Sequence, residues 1–272
     1  MDALLAILLV AGFLLAVTFL LTRRLEHSLV FDPLRHPAGE WSLFERSPFP
    51  IEDVGFQSED GTLLHGWFVE NPSAEWIILF LHGQGGNLTT YANRVFGLSE
   101  LGVSVFLIDY RGYGKSEGRP SEEGLYLDAR AAYRWLTQER GLRGERIVLY
   151  GLSLGGAAAC DLAVRAPSVG GVILEATFTS ARDLSRALAR WFPTWFLRLS
   201  LDNRTKIRGI TVPKLFIHSR NDRFVPFWMG ETLYREASDP KESLYLEDLG
   251  HSEESEDIRL GVGKFLRRLS RE

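Results

Sequence analysis

The chain has 272 residues, of which 45% are apolar and 24% are charged, as in an ordinary globular protein. Its net charge of -4 at pH 7 argues against a nucleic-acid-binding surface, for which a basic patch would be expected. The single cysteine, Cys160, has no partner for an internal disulfide, and we expect a buried thiol rather than a metal ligand.

The first 24 residues predict a membrane anchor. Residues 3–22 carry no charge, and about twenty apolar residues suffice to cross a bilayer as a helix. A cleaved signal peptide is the alternative, but the start is not basic and no small-residue cleavage site follows the apolar run. Because Arg23 and Arg24 follow the run, we expect a single-pass protein whose remaining chain lies on the cytoplasmic side.

Residues 25–50 are predicted to form a linker that packs on the following domain. The linker contains several prolines, and aromatic residues are interleaved with them. The regular pattern begins at residue 51, so we assign residues 51–272 to one domain.

Predicted strands alternate with predicted helices in this domain. Two strands, around Val54–Phe56 and over Leu63–Val69, come first with only a turn between them, so they should form an antiparallel edge. The later predicted strands are Trp76–Leu81, Val103–Ile108, Arg146–Tyr150, Gly171–Leu174, Lys214–His218 and Ser243–Leu246. The predicted helices are Thr89–Glu100 with Asn87 as N-cap, Ser121–Arg140, Leu154–Arg165, Phe227–Ala237 and Glu254–Leu269. This alternation indicates an α/β fold with a mostly parallel sheet and helices on both faces.

One stretch between Leu174 and Lys214 breaks the alternation. Residues 181–201 have a helical pattern, but they are too apolar for a simple surface connection. We therefore predict a short helical cap, residues 178–210, over the carboxyl edge of the sheet, where open parallel sheets bind ligands.

The hexapeptide Gly151–Gly156 carries the pattern G-x-S-x-G between a predicted strand and a predicted helix. In that context the serine lies on a sharp turn that exposes its hydroxyl. The glycines are expected because side chains there would collide with the neighbouring strand and helix. We predict that Ser153 is a nucleophile; the alternative is a small-residue turn that only allows close packing.

Two further residues follow predicted strands at the same edge of the sheet. A serine nucleophile needs a base, usually histidine, and a carboxylate that orients the base. In this architecture the chain order is Ser, then Asp or Glu, then His. Asp222 and His251 each follow a predicted strand in that order, so we predict that they are the acid and the base.

Other assignments remain open for the acid. Asp222 could be a solvated turn residue, and Glu175, directly after the preceding strand, is the rival. Asp248 is too close to His251 along the chain to orient it easily. Three of the remaining histidines precede the parallel core: His27, His36 and His65. His218 lies inside a predicted strand, and His82 belongs to another motif.

The loop His82–Asn87 is rich in glycine and follows the third predicted strand. Acyl transfer needs donors for the developing oxyanion, and we predict the backbone N–H groups of Leu154 and Gln84 for this role. His82 would brace the loop. Phosphate binding is disfavoured, because the loop lacks the Lys-Ser/Thr of a P-loop and the spacing G-x-G-x-x-G.

Five motifs in order carry a resemblance to a known family: His82-Gly83, Asp109–Ser116, Gly151–Gly156, Asp222–Pro226 and Gly250-His251. Over roughly residues 51–269, the chain resembles the alpha/beta-hydrolase fold. Within that fold it resembles the membrane-anchored hydrolases of the alpha/beta-hydrolase-domain (ABHD) type, which are related to serine aminopeptidase-like proteins. The resemblance implies an eight-stranded sheet, a Ser-His-Asp triad and no metal or organic cofactor. It also implies a structural role for Asp109–Ser116.

The residues and the resemblance together predict a serine hydrolase that cleaves acyl esters or thioesters. The anchor and the aromatic cap favour a small-molecule or lipid-like acyl substrate that enters from near the bilayer. A peptidase or amidase of the same fold is one alternative. A membrane-tethered interaction protein without catalysis is the other, and the complete set of candidate residues argues against it. The substrate and the oligomeric state are not encoded in these motifs.

Overall fold

An eight-stranded sheet forms the centre of the protein in the computed structural model, which describes residues 13, 28–166, 168–188, 194 and 197–271. Its strands are β2 (Ile51–Gln57), β3 (Leu63–Val69), β4 (Ile77–Leu81), β6 (Ser104–Asp109), β7 (Ile147–Leu152), β8 (Gly171–Glu175), β9 (Lys214–Ser219) and β10 (Lys241–Leu246). A separate pair, β1 (Asp32–Pro33) and β5 (Gly85–Gly86), forms a two-stranded parallel sheet.

The order across the large sheet is β10-β9-β8-β7-β4-β6-β3-β2. From β10 to β6 all neighbours are parallel, whereas β3 is antiparallel to both β6 and β2. The predicted α/β architecture, with its mostly parallel sheet and antiparallel edge, is therefore confirmed. Every residue of β4 is buried, while β2 alternates between buried and open positions, as a central and an edge strand should.

Helices cover both faces of the sheet. They are α1 (Leu88–Ser99), α2 (Glu122–Arg134), α3 (Gly155–Arg165), α4 (Ala181–Leu188), α5 (Asn203–Ile207), α6 (Phe227–Glu236) and α7 (Glu256–Leu269). The predicted N-cap of α1 is confirmed, because the Asn87 side chain accepts from the Thr89 N–H at 3.0 Å. Helix α2 is shorter than predicted, and its last turn continues as the π-helical segment Trp135–Glu139.

The core lies in two layers, one on each face of the sheet. Cys160 is fully buried in one of them, as expected, and burial raises the pKa of its thiol to about 12. A thiol in this environment stays protonated and acts as a small apolar side chain.

The helical pattern predicted over residues 181–201 holds for the first described part of that stretch and not for its end. The described part of helix α4 ends at Leu188, and residues 197–202 form no regular secondary structure. The Glu122 carboxylate accepts the N–H groups of Ser200 (2.7 Å) and Leu201 (2.8 Å), so these amides are held at the start of α2 instead of in a helix. The cap aromatics Trp191, Phe192, Trp195 and Phe196 lie outside the described residues.

The segment before the domain lies against it where the structure describes it. Phe31 is buried in the core, and the ring of Trp41 meets that of Trp67 edge-on at 5.9 Å. The predicted anchor, residues 1–24, lies outside the described residues except for Phe13. Within the described part of the chain, no helix combines the length and the apolar character needed to cross a membrane.

Candidate active site

Ser153 lies on the turn between β7 and α3 with a left-handed φ of +52°. This conformation is costly for a residue with a side chain, and it is typical of a serine held on a sharp strand-to-helix turn. The backbone holds the turn, since the Ser153 N–H donates to the carbonyl of Glu175 at 2.8 Å. The turn therefore fixes the direction of the hydroxyl.

The glycines around Ser153 allow backbone contacts that side chains would prevent. A Cβ atom on Gly155 would lie 1.8 Å from the Leu81 carbonyl oxygen, and one on Gly151 would lie 2.6 Å from the Cα of Gly156. A Cβ on Gly156 would lie 2.2 Å from the hydroxyl of Thr177. The steric reason predicted for these glycines is confirmed, and α3 can approach the sheet closely enough to aim its N-terminus at Ser153.

His251 joins Ser153 and Asp222 across three loops at the carboxyl edge of the sheet. Its Nδ1 lies 2.8 Å from Asp222 Oδ2, and its Nε2 lies 3.1 Å from Ser153 Oγ. Because a carboxylate can only accept, Nδ1 carries the proton, and Nε2 of the neutral ring accepts from the serine hydroxyl. The structure thus brings together the three side chains that the sequence selected.

Asp222 is almost fully buried, with 1% of its side chain exposed. Burial alone would raise its pKa, but the hydrogen bond and charge of His251, with the N–H groups of Val225 and Phe224, outweigh burial and lower it. Both N–H groups donate to Oδ1 at 2.8 Å. The carboxylate is therefore ionised and oriented, which rules out the solvated-turn alternative.

His218 is a second histidine behind the acid. Its Nε2 donates to the Val225 carbonyl at 2.9 Å and lies 3.5 Å from Asp222 Oδ2. Burial lowers the pKa of this ring, so it is neutral. A Cβ on Gly230 would lie 2.2 Å from the other ring nitrogen, Nδ1, so α6 covers that side. His218 therefore supports the Asp222 turn and does not face Ser153.

The rival acid, Glu175, is engaged elsewhere. Its Oε2 accepts from the Arg94 guanidinium at 2.6 Å and from the Tyr150 hydroxyl. Arg94 also donates to the Ser252 carbonyl at 2.8 Å, directly after His251. This role of Arg94 is not predicted above, although a charged residue within the apolar pattern of α1 is a signal for it. Glu175 is the counterion of a residue that holds the His251 loop.

The predicted oxyanion donors lie beside Ser153. Leu154 caps the N-terminus of α3, where unpaired N–H groups and the helix dipole favour negative charge. A Cβ on Gly83 would lie 3.8 Å from the Cβ of Ser153, so the loop that carries Gln84 passes next to the nucleophile. In the described part of the chain, no protein acceptor takes the N–H of Gln84 or of Leu154. Both groups are therefore available to a ligand.

His82 is fully buried beneath this loop. Its ring stacks on Tyr91 at 5.1 Å, and Nδ1 donates to the Gly83 carbonyl at 2.7 Å. Burial lowers its pKa, so the ring is neutral and Nδ1 carries the only proton. This contact fixes the Gly83–Gln84 peptide group, as expected of a bracing residue.

Asp109 lies away from the reacting groups. Its Oδ1 accepts from the N–H of Leu88 at 2.8 Å, and its Oδ2 would clash with any Cβ on Gly114. The segment that follows β6 is thus packed tightly around a buried carboxylate. Among the described residues, no three His, Cys, Asp or Glu side chains are grouped so that they could hold a metal ion.

Comparison with protein families matches residues 72–211 to a model described as serine aminopeptidase, S33. The match includes Ser153 and the loop of Gln84. It ends before Asp222 and His251, whose proximity to Ser153 is a result of the fold.

Several curated proteins are similar over most of the chain. An uncharacterised protein of Mycobacterium tuberculosis is 36% identical, over 87% of this chain and 83% of its own length. Human alpha/beta hydrolase domain-containing protein 17B is 33% identical, over 85% of this chain and 77% of its own length.

Solved structures share the fold. An esterase from Pyrococcus furiosus superposes with a TM-score of 0.73 and 22% identity, over 87% of this chain and 98% of its own. An acetyl xylan esterase from Paenibacillus sp. R4 gives a TM-score of 0.65 and 19% identity, over 89% and 97% of the two chains. At this level of identity the likeness concerns the fold alone.

Proposed function

The chain belongs to the alpha/beta-hydrolase family described as serine aminopeptidase, S33, and on that premise we propose that it cleaves acyl esters or thioesters with Ser153 as nucleophile. The observation that carries the proposal is the continuous hydrogen-bonded chain from Ser153 through His251 to Asp222. Each of its members lies on a different loop at the carboxyl edge of the sheet.

The first half of the reaction forms an acyl-enzyme. Ser153 Oγ attacks the carbonyl carbon while His251 Nε2 takes the hydroxyl proton, and Asp222 stabilises the resulting imidazolium. The tetrahedral intermediate then collapses, the C–O or C–S bond breaks, and His251 returns the proton to the leaving alcohol or thiol. Ser153 is left as an ester of the acyl group.

The second half releases the acid. His251 takes a proton from water, the hydroxide attacks the acyl carbon, and the carbon–Oγ bond breaks as the proton passes to Ser153. The N–H groups of Leu154 and Gln84 would stabilise the oxyanion in both halves. Loss of one such donor typically costs about 3–4 kcal/mol in the barrier.

The substrate is proposed to be lipophilic. Residues 1–24 would anchor the protein in the membrane as a single span with the catalytic domain on the cytoplasmic side. The apolar composition of residues 181–201 supports a cap that receives a lipid-like acyl group. Good turnover of short water-soluble esters, with none of long-chain esters or acyl-thioesters, would contradict this part of the proposal.

Peptidase or amidase activity is the second candidate, because the matching family model is described as a serine aminopeptidase. The two candidates share the same nucleophile and base and differ in the leaving group. A panel of acyl esters, acyl-thioesters and aminoacyl amides, assayed with the full chain and with Ser153→Ala, separates them. We expect ester or thioester turnover that disappears in the variant, and faster turnover of the amides would instead identify a peptidase.

A further inference from the structure

Residues 31–39, which we call the positioning segment, pair with the loop that carries Gln84. Strand β1 in this segment runs parallel to β5, with Asp32 opposite Gly85 and Pro33 opposite Gly86. The Asp32 N–H donates to the Gln84 carbonyl at 3.1 Å, and the Leu34 N–H donates to the Gly86 carbonyl at 2.8 Å. Proline falls between these two donors, where the pairing needs no N–H.

The carbonyl of Gln84 is held from two directions. Besides the Asp32 N–H, it accepts from the hydroxyl of Tyr113 at 2.7 Å. On the other side of the same residue, His82 holds the Gly83 carbonyl. Both peptide groups that flank Gln84 are therefore fixed, and so is the direction of its N–H.

The positioning segment lies between two loops and forms hydrogen bonds with both. The Leu34 carbonyl accepts from the Gly114 N–H at 2.9 Å, and the His36 N–H donates to the Gly114 carbonyl at 2.9 Å. The Asn87 side chain, which caps α1, donates to the carbonyls of Leu34 (3.1 Å) and Ala38 (2.9 Å). Displacement of the positioning segment would therefore break hydrogen bonds to both of these loops.

The loop depends on this outside support because it has few side chains of its own. Three of the six residues of the loop His82–Asn87 are glycines, and one of them, Gly86, has a φ of +80° that glycine adopts readily. Such a sequence has a high conformational entropy when it is free. The pairing with β1 removes that freedom.

From these contacts we propose that residues 31–39 hold the loop His82–Asn87, and with it the N–H of Gln84, in its reactive geometry, an inference that rests on the proposed hydrolase function. The Asp32 N–H acts through the Gln84 carbonyl and the Leu34 N–H acts through the Gly86 carbonyl, so Asp32 and Leu34 are positioning residues that need not touch substrate. If residues 1–24 lie in the membrane, residues 25–31 span at most roughly 25 Å. The segment would then keep the reactive edge of the sheet near the bilayer surface.

The test compares Asp32→Pro with Asp32→Ala in the full chain. Both variants lose the exposed carboxylate, but only proline loses the N–H that Gln84 accepts. We expect kcat for a p-nitrophenyl ester, per titrated active site, to be about tenfold lower in Asp32→Pro than in Asp32→Ala, with KM within about twofold. The acid limb of the pH profile should be the same in both, because His251 is untouched.

Hydrogen exchange of residues 83–87 provides a readout that does not need turnover. We expect these amides to exchange faster in Asp32→Pro than in Asp32→Ala. Equal kcat in the two variants would overturn the proposal, and so would a lower kcat without faster exchange in the loop. Leu34→Pro and Leu34→Ala repeat the comparison at the second hydrogen bond if Asp32→Pro does not fold. If the wild-type chain has no hydrolase activity, the proposed function is contradicted instead. The hydrogen-exchange comparison then still tests whether residues 31–39 hold the loop.

Discussion

The Nε2 atom of His251 lies 3.1 Å from the Oγ atom of Ser153, although 98 positions separate the two residues in the sequence. The fold creates this proximity, because both residues follow strands whose carboxyl ends meet at one edge of the sheet. The same edge brings Asp222 within 2.8 Å of the other ring nitrogen of His251. The arrangement has the geometry of a nucleophile, a base and an orienting acid.

Asp222→Asn is expected to lower kcat by about 10⁴-fold, because the amide cannot hold the reactive tautomer or stabilise the imidazolium. Glu175→Gln is the matched control at the rival acid. It should lower kcat less than about tenfold and instead destabilise the protein by about 3 kcal/mol, because Arg94 then lacks its buried counterion. Steady-state kinetics and urea denaturation of both variants separate the two effects. A greater kcat loss in Glu175→Gln would identify Glu175 as the acid.

The stability of the protein should fall in acid partly through Asp222. The pKa of this carboxyl is lowered in the folded protein from its ordinary value of 3.8, so its contribution is complete above about 3.8. The contribution is lost as the pH falls through the lower folded value. Denaturation at pH 6 and pH 3 should show a smaller loss of stability in Asp222→Asn than in wild type. An equal loss would show that the ionisation of Asp222 does not contribute.

Gly155→Ala is expected to destabilise the protein by more than about 3 kcal/mol, since its Cβ would overlap the backbone of Leu81. Gly97→Ala, in the last turn of α1, meets nothing within 4 Å and should instead stabilise by about 0.5–1 kcal/mol. Urea denaturation measures both changes. Equal stabilities for the two variants would show that the close approach at Gly155 does not exist in solution.

The grouping of the candidate active-site residues could be predicted from sequence because each follows a strand that is recognisable by itself. Ser153, Asp222 and His251 come after buried apolar strands, and the parallel topology places such positions together. The glycines around Ser153 were also predictable, since their role depends on a local turn.

Contacts that depend on pairing between distant, irregular segments could not be predicted. Strand β1 has two residues and no alternating pattern, so nothing in Asp32–Pro33 indicates its partner Gly85–Gly86. The ion pair of Arg94 with Glu175 joins positions 81 residues apart. The irregular course of residues 197–202 could not be predicted either, because apolar periodicity cannot show that Glu122 accepts hydrogen bonds from the amides of Ser200 and Leu201.

Deletion of residues 1–24 is expected to move the protein from the membrane fraction to the soluble fraction. The apolar run supplies the proposed anchor, and the described domain begins after it. The deleted chain should keep its kcat for a short ester, because the positioning segment remains. Fractionation of cells that express the two chains, followed by the ester assay, tests this. Membrane association of the deleted chain would place the anchor elsewhere.

Covalent labelling with a fluorophosphonate tests the central claim most directly, because the probe reacts with an activated serine. The account predicts one adduct per molecule, mapped by mass spectrometry to the peptide that contains Ser153. Labelling should be absent in Ser153→Ala and at least about 10³-fold slower in His251→Ala. Failure of the folded wild-type protein to react, or undiminished labelling of Ser153→Ala, would contradict the account.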